Sequence, residues 1–377
     1  MTGLYIHVPF CLKKCSYCDF FSLPVERDIV SCYMDSLFRE MKIHTDRPGG
    51  NEKNVDSVYL GGGTPTCLSA ENLAAIIEMV NRYFNISPGS EITVEANPGT
   101  VDSEKLESLR RSGVNRISIG FQSCQEDLLA TLGRVHSYPQ AEEAFYTARG
   151  AGFENINVDL IFGIPGQTLE HWRSCLENVA GLKPDHISAY SLHLEEGTPL
   201  YKRIESESIK QCAEDLEADM YCYLIDFLTQ IGYVQYEISN FCLPGRACRH
   251  NLKYWHNLSY LGLGPSAHSF IGGRRFSNTS DLGLYIERLG WGILPVEWEE
   301  EPDLKNSMSE TVFLGLRLTE GLDTMVFEKR FERDIMEVFG DQIESLGRQS
   351  LIIKEGNRIR LTKKGMLLGN RVFAEFV

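Results

Sequence analysis

A chain of 377 residues is long enough for one large core with a smaller domain appended. Its 43% hydrophobic and 24% charged residues are those of an ordinary globular protein, and no run approaches the ~20 apolar residues that a membrane helix needs. A net charge of −15 and a pI near 5.1 speak against docking on a phosphate backbone, which needs a basic face, so no nucleic-acid partner is expected.

A strand is expected at residues 6–8, close to the first residue, and no targeting peptide is expected before it. The 11 cysteines are an odd number scattered along the chain, which suits a reducing compartment, so a cytoplasmic location is expected. Cys11, Cys15 and Cys18 follow the strand with the spacing C-x3-C-x2-C. Residues 25–45 carry Ile29, Tyr33, Leu37, Phe38 and Met41 on one helical face, and a Pro-Gly-Gly-Asn turn ends that helix. A strand at 55–60 runs into Gly61-Gly62-Gly63-Thr64, and Ser69 caps the next helix. Strand and helix then alternate, with strands at 92–95, 116–119, 157–162 and 186–190 and helices at 103–112, 141–150 and 169–180. Such alternation predicts a parallel sheet with helices outside. About six units before residue 195 fall short of a closed eightfold barrel, so the expected fold is α/β, a partial (β/α)6 TIM-type barrel open to a large ligand.

A long helix at 209–231 and a strand at 232–239 follow. The acidic stretch 297–303, with Pro295 and Pro302, reads as a linker. Helices at 307–318, 323–331 and 334–349 then precede a hairpin at 351–361 turned by Glu355-Gly356-Asn357, a mainly helical, winged-helix-like arrangement. The expected domains are 1–240 for the barrel, 241–295 for an extension of it, and 296–377 for the C-terminal unit. Winged helices can bind DNA, but the charges of this one nearly balance. Its expected role is to cover part of the barrel or to meet a partner.

Three thiolates from one loop can hold three irons of a cubane cluster and leave the fourth open to a small molecule. A zinc knuckle completed by His7 competes with that reading. Barrel active sites lie at the carboxyl ends of the strands, where Gly61 to Thr64, Glu95, Gln122 and Asp159 all fall. The glycine run is either a tight turn or a place where backbone approaches a ligand. Glu95 and Asp159 each interrupt an apolar strand, and Asp159 in particular needs a partner or a ligand. In Arg249–Trp255, the imidazole of His250 could ligate iron beside the flat faces of Tyr254 and Trp255, or simply pack in the core. A second metal site from Cys242, Cys248 and His256 is another option. Cys32, Cys67, Cys124, Cys175, Cys212 and Cys222 read as small core residues.

With Tyr5, His7, Pro9 and Phe10 before the cysteines and the Tyr17-Cys18-Asp19-Phe20 run at their end, the chain resembles the radical S-adenosylmethionine (SAM) superfamily. The likeness is to the branch that contains oxygen-independent coproporphyrinogen III oxidase and its heme-chaperone relatives. It implies a [4Fe-4S] cluster on Cys11, Cys15 and Cys18, with SAM contacted by Tyr5, Tyr17, Gly62, Gly63, Thr64, Glu95, Gln122, Arg134 and Asp159. It also implies heme at His250, Asn251, Tyr254 and Trp255. The oxidase has a further cysteine two residues after the third, where this chain has Phe20. It also has a long extension where only Met1, Thr2 and Gly3 precede Leu4. Both departures favour the chaperone, which passes heme to an acceptor hemoprotein such as a respiratory one and draws electrons from a flavodoxin or ferredoxin. The alternative is oxidative decarboxylation of coproporphyrinogen III.

Overall fold

Six parallel strands laid down in sequence order form the heart of the protein, a computed structural model of which describes residues 1–46 and 53–377. They are β1 (Thr2–Val8), β2 (Asn54–Gly62), β3 (Asn85–Ala96), β4 (Arg116–Gln122), β5 (Ile156–Phe162) and β6 (His186–Ser191). Between them run α1 (Arg27–Asp46), α2 (Ala70–Tyr83), α3 (Ser103–Arg111), α4 (Glu126–Leu132), α5 (Tyr138–Gly150) and α6 (Leu169–Leu182). This is the partial barrel that the alternation predicted. Side chains of Ser69, Asp102 and Thr168 cap α2, α3 and α6, each accepting from the backbone three residues on. The Pro-Gly-Gly-Asn turn lies outside the described residues.

Period-two patterning divides each strand between two environments. Val58, Leu60, Ile92, Val94, Ile117, Ile119, Val158, Leu160 and Ile187 face outward into one apolar core with the helices. Tyr59, Glu95, Arg116, Ser118, Asn157, Asp159 and Ser188 face inward and line a cavity. Glu95 and Asp159 therefore do not interrupt apolar strands. They belong to a polar inner row in which Glu95 lies beside Ser118, and Asp159 between Gly120 and Ser188.

The sheet continues on both sides of this heart. Beyond β6, α7 (Pro199–Glu205) and α8 (Glu214–Gln230) lead to a tight pair, β7 (Val234–Glu237) and β8 (Asn240–Cys242). One long helix and one strand were expected here. The acidic residues Glu214, Asp215 and Glu217 instead mark a fresh helix start, where they complement the helix dipole. Helix α9 (Arg249–Trp255) then returns the chain to β9 (Tyr260–Leu263), which pairs parallel with β1, and β10 (His268–Ile271), β11 (Arg274–Asn278) and β12 (Val296–Glu300) add antiparallel strands. The order across all twelve is β12-β11-β10-β9-β1-β2-β3-β4-β5-β6-β8-β7. Residues 296–300 are thus a charged edge strand and not a linker, a composition that discourages further strand pairing.

Past β12, α10 (Leu304–Gly315), α11 (Thr324–Phe331) and α12 (Ile335–Arg348) pack with the hairpin β14 (Ile352–Glu355) and β15 (Arg358–Leu361). The two-residue strand β13 (Leu322–Asp323) joins that hairpin. Met308, Val312, Phe327, Phe339, Ile343, Leu351 and Ile359 give this region a core of its own. Its seam with the barrel mixes apolar and polar contacts: Ile238 packs against this core, Arg317 reaches the fully buried Glu237 of β7 at 3.4 Å, and Arg330 donates to the Asn257 carbonyl at 3.0 Å.

Candidate cofactor and heme site

The cysteine loop leaves the end of β1 and is clasped at its base. Phe10 and Cys11 pair with Leu23 and Pro24, and the Leu23 amide donates to the Pro9 carbonyl at 2.7 Å. The glycine turn after β2 lies directly against it, with Gly63 N donating to Val8 O at 2.9 Å and Thr64 N to Phe10 O at 2.7 Å. A Cβ on Gly63 would stand 2.6 Å from the Phe10 carbonyl oxygen, so only glycine fits there. On the far side the Ser16 amide donates to Leu132 O at the end of α4, a helix not foreseen from sequence.

Loop, turn and strand ends enclose a cavity of about 530 Å³. Its walls include Cys11, Cys15, Cys18, Tyr17, Gly62, Gly63, Thr64, Glu95, Gln122, Arg134 and Asp159, so all but one of the residues proposed for the cluster and SAM meet in one place. Gln122 adopts φ 68°, an uncommon conformation for a non-glycine residue, at a bulge against β5. Tyr5 is the exception. It stands behind the wall, its hydroxyl 3.1 Å from His7 Nδ1 and its ring 6.3 Å from that of Tyr59.

A hydrogen-bond chain that the sequence did not reveal ties the cavity walls together. Asn97 donates to Thr64 Oγ1 at 2.7 Å and accepts from Arg134 at 2.5 Å, while Arg134 also donates to Gly120 O at 2.8 Å and to Cys15 Sγ at 3.4 Å. Burial opposes the Arg134 charge, but Cys15 and Tyr17 outweigh it and hold the guanidinium protonated. Burial also lifts Glu95 to about 7, against a 2.8 Å hydrogen bond from Tyr59 and with Asp159 adding to the rise. Burial raises Asp159 too, although Ser118 and Asn157 each donate to it at 2.7 Å. The only signals for Asn97 and Tyr59 were their places beside Glu95 and in the inner row. Arg116 also lines the cavity, with its Nε unpartnered among the described residues.

The donor set fits a cluster better than a single ion. Among the described residues no three Cys, His, Asp or Glu side chains converge as ligands of one metal ion would. Three half-buried thiols spaced around a cavity suit irons that each take one sulfur. Burial pushes the Cys18 thiol up to about 11, a proton that coordination to iron would displace. The zinc knuckle is ruled out by His7, whose Nε2 lies 2.9 Å from Phe21 O while Nδ1 meets Tyr5. The second metal site fails likewise, since the Cys248 thiol is taken by Glu91 at 3.3 Å. Of the six cysteines expected in the core, only Cys175 is buried.

The proposed heme residues do not gather at one opening. Glu91 accepts from the backbone amides of Arg249 and His250, both at 3.1 Å, and so seats α9 against β3. His250 is 1% exposed, with Nδ1 3.0 Å from Ser57 Oγ and Nε2 2.9 Å from the Tyr254 hydroxyl. Both ring nitrogens thus meet protein hydroxyls. Tyr254 packs edge-on to Tyr260 at 4.7 Å, and Trp255 lies under Arg317 at 4.3 Å. Of the four, only Asn251 reaches the cavity.

Comparison with known proteins agrees with this geometry. Residues 5–179 match the radical SAM superfamily and residues 303–368 match the HemN C-terminal domain. The heme chaperone HemW of Bacillus subtilis is 38% identical over 100% of this chain and 99% of its own. The heme chaperone HemW of Lactococcus lactis is 37% identical, covering 100% of this chain and 97% of its own. The structure of coproporphyrinogen III oxidase (HemN) from Escherichia coli superposes with a TM-score of 0.87 at 24% identity, over 100% of this chain and 89% of that one, a likeness of fold.

Proposed function

The chain belongs to the HemW family of the radical SAM superfamily, and from that premise we propose that it binds heme and delivers it to an acceptor hemoprotein. The observation that carries this reading is the end-to-end likeness to heme chaperones, which runs from the cysteine loop through α9 to the C-terminal hairpin. A [4Fe-4S] cluster on Cys11, Cys15 and Cys18 would supply an open iron for SAM and a source of one electron. Gly62, Gly63 and Thr64 bring backbone groups to the ligand, Glu95 and Asp159 offer acceptors, and Arg134 steadies both Cys15 and the Asn97–Thr64 wall. Tyr5 supports this wall from behind. The acceptor is a respiratory hemoprotein, the electron donor is a flavodoxin or ferredoxin, and delivery takes place in the cytoplasm. Among the described residues no helix is long and apolar enough to cross a membrane.

Heme binding and release test the proposal. The anaerobically reconstituted protein is titrated with hemin, the Soret band is followed, and apo-hemoprotein is then added with and without SAM. Stoichiometric uptake followed by transfer is expected. Anaerobic conversion of coproporphyrinogen III to protoporphyrinogen, with no transfer, would favour the oxidase instead.

A further inference from the structure

Arg116 opens β4 and lines the cavity from the amino end of the strands, while Gln122 closes the same strand at its carboxyl end, about 20 Å further along. Arg116 is only 1% exposed, its Nε has no hydrogen-bond partner, and its guanidinium forms no ion pair among the described residues. Burying an arginine so far is costly unless acceptors meet it. Burial opposes its charge, yet Cys248, Glu91, Tyr59 and Tyr236 outweigh it and hold the guanidinium protonated.

The carboxylates around Arg116 are already engaged. Glu91 accepts from Cys248 Sγ at 3.3 Å and from the Arg249 and His250 amides at 3.1 Å. Glu95 accepts from Tyr59 at 2.8 Å, and Asp159 from Ser118 and Asn157 at 2.7 Å. The charge of the cavity as a whole selects no anion, because Lys13, Lys14, Arg116 and Arg134 are matched by Asp19, Glu95, Asp159 and Glu195. Arg134, moreover, is held by Cys15, Asn97 and the Gly120 carbonyl. The signal is local: a planar, permanently charged group with unused donors at the inner end of a polar cavity, a fork that a carboxylate fits bidentately.

We propose that Arg116 receives a carboxylate that a ligand brings into the cavity. Heme carries two such groups, its propionates, and SAM carries one. Position assigns the contact to heme. The cysteines, Thr64 and Gln122, expected around SAM, lie toward the other end of the cavity. Cys248, which precedes α9, and His250 within it both stand in the electrostatic reach of Arg116, and Asn251 of α9 lines the same cavity. A propionate on Arg116 would therefore tie the cargo to α9. The inference rests on the heme-binding reading above.

The full-length, cluster-reconstituted protein is titrated with hemin, hemin dimethyl ester and SAM, the first two followed by Soret absorption. Wild type is compared with Arg116→Met and Arg116→Lys, with circular dichroism and cluster content checking the fold of each. Arg116→Met is expected to weaken hemin binding about tenfold or more, with the ester and SAM bound as in wild type. Arg116→Lys keeps a charge in the wall but not the planar fork, so a severalfold loss for hemin and none for the ester is expected. That variant carries the test should the neutral one not fold. Unchanged affinities for both hemin and SAM in folded variants would overturn the inference. An equal loss for hemin and its ester would do the same, making Arg116 a purely structural charge. A loss for SAM that decarboxylated SAM does not share would keep the carboxylate site and reassign it to SAM. Failure of the wild type to bind hemin would overturn the heme-chaperone reading itself, and the SAM titrations would then decide the role of Arg116 alone.

Discussion

The imidazole of His250 stacks on the ring of Tyr59, centroids 5.3 Å apart and planes 28° from parallel, and the Tyr59 hydroxyl donates to Glu95 at 2.8 Å. The aromatic motif on α9 thereby acts on the cofactor cavity through its wall.

His250→Ala should therefore be a stability variant first. It empties a buried site and leaves Ser57 and Tyr254 without their imidazole partner, a loss of about 2–4 kcal/mol. Urea unfolding of the cluster-free protein measures it. A loss under about 1 kcal/mol would show that the ring is not a packed support.

Gly63→Ala should fold but lose its cluster. The added methyl would collide with the backbone of Phe10, one residue before Cys11, and push the cysteine loop off the glycine turn. Iron and sulfide content per chain after reconstitution should fall severalfold. Full cluster content would mean that the close approach is not needed.

Asn97→Ala should weaken SAM binding about tenfold, the scale of one or two charge-assisted hydrogen bonds. Combined with Arg134→Lys the losses should be less than additive, because Asn97 is a partner of Arg134. Strict additivity in equilibrium SAM titrations would separate the two residues.

A pH effect is expected away from the cavity, at Glu40. This fully buried carboxylate accepts from Tyr285 at 2.6 Å, Asn278 at 2.6 Å and Gly264 N at 2.8 Å, yet burial outweighs them and lifts it from 4.5 to about 7. The folded state thus holds this proton more tightly than the unfolded state. The stability it contributes is present below pH ~4.5 and is lost as pH rises toward 7, by on the order of 3 kcal/mol. Glu40→Gln should flatten that part of the profile when unfolding midpoints are compared at pH 5 and pH 8. An equal slope in both proteins would assign the effect elsewhere.

Local signals served well where the physics is local. The spacing of Cys11, Cys15 and Cys18, the Ser69 cap, the period-two strands and the Glu355-Gly356-Asn357 turn each depend on neighbours within a few residues, and the cluster loop and partial barrel were legible from them. Charge runs misled at residues 297–303, because an edge strand and a linker both face water and select the same polar residues.

Sequence by itself determined the cofactor loop, the parallel order of the strands and most of the residues around the cavity, since strand ends in a parallel barrel converge whatever the details of packing. Only the tertiary structure decided which polar groups are still free. His250 is spent on Ser57 and Tyr254, partners 193 residues before it and four after it, and Tyr5 is screened by Tyr59. Burial and hydrogen-bond satisfaction depend on contacts between distant segments, and those exist only once the sheet has closed around its polar row.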